Sequence, residues 1–200
     1  MRTCLACGEW GSAVLCEPCR ESLRPAPDRW IRGLWVRSAY LHDGAAATMV
    51  RRLKYGGVAA VAAAFAPALA RRLPPDVRAI VPVPRTAWRA VRYGVDPSLE
   101  LARRLAAATG LPVVRALVAP IVAERHAGRG RRHRGPVRFR ALGPVPDGSV
   151  LVDDVVTTGV TLLSARLALP MITRAVTVTA ASQVTSLPPG RPPGSAGANR

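Results

Sequence analysis

Lysine is almost missing from this chain of 200 residues: Lys54 stands alone, so nearly all of a formal net charge of +17 is carried by arginine. A skew of that kind reflects base composition of the coding DNA as readily as selection on charge. The resulting field still attracts phosphates, nucleic acid or anionic lipid without choosing among them. Aromatics are scarce, with four Trp, three Tyr and two Phe, which leaves little surface on which bases could stack. No cysteine occurs after Cys19. The longest apolar stretch, Val58 to Ala70, falls short of the roughly 20 residues a bilayer span needs, so it reads as a helix packed on a core and no membrane insertion is expected. The apolar h-region of a secretory signal is also lacking, which implies a cytoplasmic chain with reduced thiols. No G-x-x-x-x-G-K-[ST] occurs, which excludes a P-loop, and the segment "GRGRRHRG" has the wrong interval for a dinucleotide fingerprint and follows no strand. No internal repeat is evident.

What is present can bury one sizeable core: about half of the residues are apolar. Residues 1–30 are punctuated by Cys and Pro and read as a separate small module. Residues 31–183 carry the main domain, and 184–200, rich in Pro and Gly, read as a disordered tail. Within the main domain, "WVRSAYLH", "AIVPVP", "SVLVDD" and "RAVTVTAA" read as strands. "AAATMVRRLKY", "VAAVAAAFAPALARRL", "PSLELARRLAAATG" and "VTLLSARLAL" read as helices, the third with Ser98 near its start and Gly110 as its stop. "ERHAGRGRRHRGPVRFRALGPVPDG" has almost no apolar face and reads as a long mobile loop. Strands alternating with helices predict an α/β fold with a mostly parallel sheet covered on both faces, plus the small N-terminal module.

Cys4, Cys7, Cys16 and Cys19 form two C-x-x-C pairs. Each pair can place two thiolates on one ion, and together they complete the tetrahedral set of four sulfurs that zinc prefers, with no open position for catalysis. Four buried thiols or two disulfides would leave the shared spacing unexplained.

In "VLVDDVVTTGVT", Val150 to Thr161, the apolar run reads as a buried parallel strand, which puts Asp153 and Asp154 at its carboxyl end. Ligands of open α/β sheets bind at that edge. Thr157, Thr158, Gly159, Val160 and Thr161 follow just before a predicted helix, where backbone N–H groups and hydroxyls make a phosphate cradle. Paired acids accept hydrogen bonds from neighbouring hydroxyls, so a sugar phosphate would fill both halves. The same residue types also serve as an ordinary N-cap and turn.

The stretch resembles the signature of type I phosphoribosyltransferases. Together with the Cys4 module, "LKYGG" and "VPVPR", the order of motifs is similar to the ComF family of competence-associated, phosphoribosyltransferase-like proteins, over nearly the whole chain. The resemblance implies that Asp153 and Asp154 hold the ribose hydroxyls of phosphoribosyl pyrophosphate (PRPP) and that residues 157–161 hold its 5-phosphate. It implies a pyrophosphate near Arg85, Arg89 and Arg92, which recur at helical spacing, with Lys54 as a further candidate, and a Mg²⁺ ion arriving with the pyrophosphate. The Arg-rich loop would be a lid. Thr157 stands where purine-salvage relatives carry Asp, which disfavours a hypoxanthine or guanine enzyme. Two functions follow from the resemblance: an active transferase of unknown acceptor, or a PRPP-binding protein of DNA uptake that handles single-stranded DNA with DNA-uptake proteins as partners.

Overall fold

The computed structural model describes residues 2–56, 59–120 and 137–182. The chain opens with β1 (Arg2–Thr3), β2 (Trp10–Gly11) and the short α1 (Glu17–Glu21). Then come β3 (Arg29–Ile31), β4 (Leu34–Leu41), α2 (Gly44–Gly56), α3 (Ala59–Ala70), β5 (Ala79–Pro82), α4 (Ala87–Tyr93) and α5 (Pro97–Thr109). The remainder is β6 (Leu117–Val118), β7 (Arg140–Ala141), β8 (Ser149–Val156), α6 (Val160–Ala168) and β9 (Arg174–Ala180).

The main sheet has the order β3-β4-β9-β8-β5, with β3 antiparallel and the other neighbours parallel. This is the mostly parallel α/β sheet expected from the alternation of apolar runs. Its strand β8 is buried along nearly its whole length, and successive residues serve opposite faces, as the pleat requires. Val150 and Val152 join Val61, Phe65, Leu69, Leu101 and Leu105 in a core beneath α2, α3 and α5. Leu151 joins Leu34, Val36, Val81, Leu162 and Ala165 beneath α6. The run of alanines in α3 keeps that helix close to its neighbours, while Phe65, 1% exposed, fills the space that remains. Pro67 removes one N–H from α3, but Pro67 and Ala63, whose carbonyl loses its partner, both face solvent, so water replaces the bond.

Several expectations need correction. The segment from Glu124 to Gly148 is not a loop throughout: β7 pairs with β6, and Phe139, Ala141 and Val145 pack on the core beneath α6. Residues 121–136, including most of the anticipated lid, lie outside the described residues, as does the tail 184–200. The cap of α5 is Asp96, whose side chain accepts from the Leu99 N–H, and Ser98 is thereby free for another partner. Gly110, in the left-handed region at φ 75°, ends that helix as expected. Arg85 precedes α4, so it does not share a helix face with Arg92. The N-terminal module packs closely on the main core, since Cys4 and Ala6 are buried with Met49 and Val50 of α2, and β3 of the main sheet begins at Arg29. Among the described residues no helix is long and apolar enough to cross a membrane.

Candidate ribose phosphate site

The site forms where strand pairing stops. β5 pairs with β8 only as far as Pro82 opposite Val152, with one further bond from the Val83 N–H to the Val152 carbonyl, and Pro84 comes next. On the other side β9 keeps pace with β8 through Val155 and Val156, opposite Thr179 and Ala180. Asp153 and Asp154 therefore lie inside β8, not at its carboxyl end as the sequence predicted, but next to a neighbour that has already ended. The chain leaves β5 toward α4 and α5 on one face and β8 toward α6 on the other, so a crevice opens between the two strands at their carboxyl edge.

A cavity of about 400 Å³ fills that crevice, lined among others by Lys54, Arg85, Ser98, Asp153, Asp154, Thr157 and Thr161. The two acids have different partners. Asp153 Oδ1 accepts from Ser98 Oγ at 2.9 Å and from the Asp154 N–H at 2.8 Å. Asp154 Oδ1 lies 2.9 Å from Lys54 Nζ. Burial, with the Asp154 charge beside it, pushes the Asp153 carboxyl up to about 7. Close to the pair, His42 at the end of β4 meets Thr179 Oγ1 through Nδ1 at 2.8 Å. Burial and the Lys54 charge hold its imidazole below the usual range.

The loop after β8 turns sharply into α6. Gly159 stands at the N-cap at φ 78°, and a Cβ built there would lie 3.0 Å from Ile31 Cδ1 and Cγ2, so both conformation and space call for glycine. No side chain caps the helix, which leaves the N–H groups of its first turn available to a ligand. Thr157, Thr158, Val160 and Thr161 are exposed around them. Such a turn favours an anion through both hydrogen bonds and the helix dipole.

The basic residues are partly committed elsewhere. Lys54 holds Asp154, while Arg85 Nη1 donates to the carbonyls of Lys54 and Val95, and its backbone N–H to Asp96. The Arg89 side chain lies outside the described part of the structure. The Arg92 guanidinium sits 5.2 Å from the Trp88 ring centre and 5.7 Å from that of Tyr93. Ser98, Tyr55 and Tyr93 line the site, His42 lies behind Asp154 through Thr179, and none of the four is singled out as a site residue from sequence. Ser98 carried a signal, a hydroxyl in the first turn of a helix. Tyr55 stands inside "LKYGG", beside Lys54, while His42 and Tyr93 carried no signal, because each arrives from an element distant in sequence.

The four cysteine sulfurs gather within 4.8 Å of one another, with Cys7 and Cys16 at 3.6 Å. A tetrahedral zinc with bonds of ~2.3 Å needs sulfurs roughly 3.8 Å apart, so the cluster can hold the ion. The N–H groups of Glu9 and Cys16 point at Cys7 Sγ and Cys4 Sγ, at 3.5 and 3.4 Å, as suits thiolate acceptors. The hairpin of β1 and β2 presents the first pair and α1 the second, with Cys16 at its N-cap.

No family model matches the chain, and no curated protein matches it. Among solved structures, it is similar to the adenine phosphoribosyltransferase of Leishmania tarentolae, at 17% identity and a TM-score of 0.38, over 60% of this chain and 56% of that one. It is also similar to a hypoxanthine phosphoribosyl transferase of Trypanosoma cruzi, at 17% identity and a TM-score of 0.34, over 59% of this chain and 60% of that one. The chain spans little more than half the length of either.

Proposed function

We propose that the protein binds PRPP, or a closely related phosphorylated ribose, at the carboxyl edge of the sheet. The observation that carries this reading is the buried pair Asp153 and Asp154 in one cavity with the uncapped first turn of α6. The acids accept hydrogen bonds from the ribose hydroxyls, residues 157–161 donate N–H and hydroxyl bonds to the 5-phosphate, and the pyrophosphate extends toward Lys54 and the loop of Arg85 and Arg89. Lys54 must exchange Asp154 for a phosphate or bridge both. Mg²⁺ suits oxygens of this kind, and the acids together with substrate phosphates would hold it, supplying charge neutralisation of the pyrophosphate. The cysteine cluster would take a structural zinc.

Binding leads to one of two outcomes under the resemblance, turnover by an active phosphoribosyltransferase or the DNA-uptake role of a ComF-type protein. One observation favours the second. Tyr55 and Trp88 are 58% and 49% exposed, Tyr55 packs edge-on against Tyr93 at 5.1 Å, and Arg85 and Arg92 lie over the rings at the mouth of the crevice. Few as the aromatics are, these three, with arginine, suit the stacking that single strands use.

The test is calorimetric titration with PRPP and Mg²⁺, beside fluorescence anisotropy with labelled single-stranded DNA at several salt concentrations. PRPP binding that persists in Asp153→Asn/Asp154→Asn refutes the site. DNA binding without a salt slope refutes phosphate contacts, and release of pyrophosphate with any acceptor base favours the transferase.

A further inference from the structure

A second cavity, about 500 Å³, opens at the opposite edge of the sheet. Trp35 and Arg174, the first in-register pair of β4 and β9, lie in its floor, three to four residues or roughly 10–13 Å along the strands from the level of the acid pair. Trp30 and Trp35 face each other across β3 and β4, ring centres 6.0 Å apart and planes tilted by 50°. Pro74 and Pro75 from the loop after α3 form another wall, and Thr173 stands at the exposed rim.

The charged groups in this lining come as pairs. Asp28 holds Arg37, with Oδ2 3.2 Å from Nε, and also Arg72 behind it, while Asp76 holds Arg174. The lining itself thus contains two arginines and two aspartates, which cancel. With Arg72 counted the group carries a single excess positive charge, and every arginine in it is already held by a carboxylate, so an anion gains little attraction there. The cavity offers flat apolar surface from two indoles and two prolyl rings, rimmed by donors (indole N–H, guanidinium, hydroxyl) and acceptors (carboxylates). Its volume falls in the range of small-molecule sites. Stacking surface with a mixed donor and acceptor rim matches a ring system that carries both on its own edge.

We propose that this cavity is a second ligand site, specific for an uncharged planar heterocycle of nucleobase or nucleoside size. It is independent of the PRPP reading, since it shares no residue with that site.

The experiment titrates the full chain with adenosine and with adenosine monophosphate, followed by calorimetry and tryptophan emission. Adenosine is expected to bind saturably and quench emission, with the monophosphate binding no more tightly. Trp35→Leu should weaken binding at least tenfold. Thr173→Tyr should do the same by filling the cavity from its exposed rim, and it leaves the core untouched should the tryptophan variant fail to fold. Asp153→Asn/Asp154→Asn and Trp88→Phe should leave adenosine affinity unchanged. Non-saturable quenching, full affinity in Thr173→Tyr, loss of binding in the double aspartate variant, or a monophosphate bound more than tenfold tighter would each overturn the proposal.

Discussion

Replacing Asp153 by Asn should stabilise the protein, and the gain should depend on pH in a defined direction. In the unfolded chain this carboxyl titrates near 3.8, whereas burial raises it to about 7 in the fold. The folded state therefore holds the proton more tightly, so the contribution of this carboxyl to stability is greatest below 3.8, falls as pH rises from 3.8 to about 7, and is level above that. A shift of about three units corresponds to roughly 4 kcal/mol of unfavourable charge burial at pH 8, against about 1 kcal/mol at pH 4.5. Asn keeps an oxygen for Ser98 Oγ and the Asp154 N–H, so it removes the charge without orphaning either donor. Thermal melts followed by circular dichroism should show the variant melting roughly 10 °C above the parent at pH 8 and only a few degrees above it at pH 4.5. An equal shift at both pH values, or a variant less stable than the parent at pH 8, would refute the assignment of a strained acid. The same variant should lose most of its PRPP affinity.

Gly159→Ala should destabilise by about 1–2 kcal/mol through the left-handed backbone and the contact with Ile31, and should weaken PRPP binding at least tenfold, read from chemical melts and calorimetry. Purified protein should contain one equivalent of zinc by metal analysis, and a chelator should lower the melting temperature. Cys7→Ser should do so as well, since Cys7 is exposed and its loss disturbs the metal more than the packing; a melting temperature indifferent to both would refute the structural zinc. Phe65→Ala, in the core beneath α3, should cost about 3–5 kcal/mol by urea unfolding, while leaving PRPP affinity of the folded fraction within a few fold.

The parts legible in the sequence are those where one segment carries its own evidence. β8 carries the continuous apolar run Val150–Val152 and β9 a β-branched run of Val and Thr, both buried because both faces of an inner strand are covered, and α5 announces itself through a first-turn proline and a terminal glycine. β3, β6 and β7 escaped notice because two or three residues are too few for any period to appear, and their partners alone define them. The same division runs through the site. Asp153, Asp154 and the loop to Thr161 are contiguous and readable. Ser98, which lies 55 residues from its acid, was visible only as a helix-start residue. Lys54 meets Asp154, and His42 meets Thr179 beside it, only because β4 and α2 end at the same edge. Scarcity of aromatics was a sound reading of composition and a poor guide to the surface, since Tyr55, Trp88 and Tyr93 are concentrated at one place.

The two acids also bear on whether the stretch from Val150 to Thr161 is a binding site or an ordinary strand, turn and cap. An ordinary turn keeps its Asp exposed, where the charge is solvated. Here both carboxylates are under 10% exposed, and one is lifted well out of its range. A residue with only a structural task beside Ser98 would be served better by Asn, which offers the same acceptor without the charge. The turn into α6 has the same character: three threonines surround it, yet none caps the helix, and the N-cap is a glycine in a conformation that keeps the first-turn N–H groups open. Strain in the acids and uncapped donors at the helix terminus are each unfavourable alone. They become favourable together when one ligand supplies hydroxyls to the first and a phosphate to the second, which is the chemistry of a phosphorylated ribose.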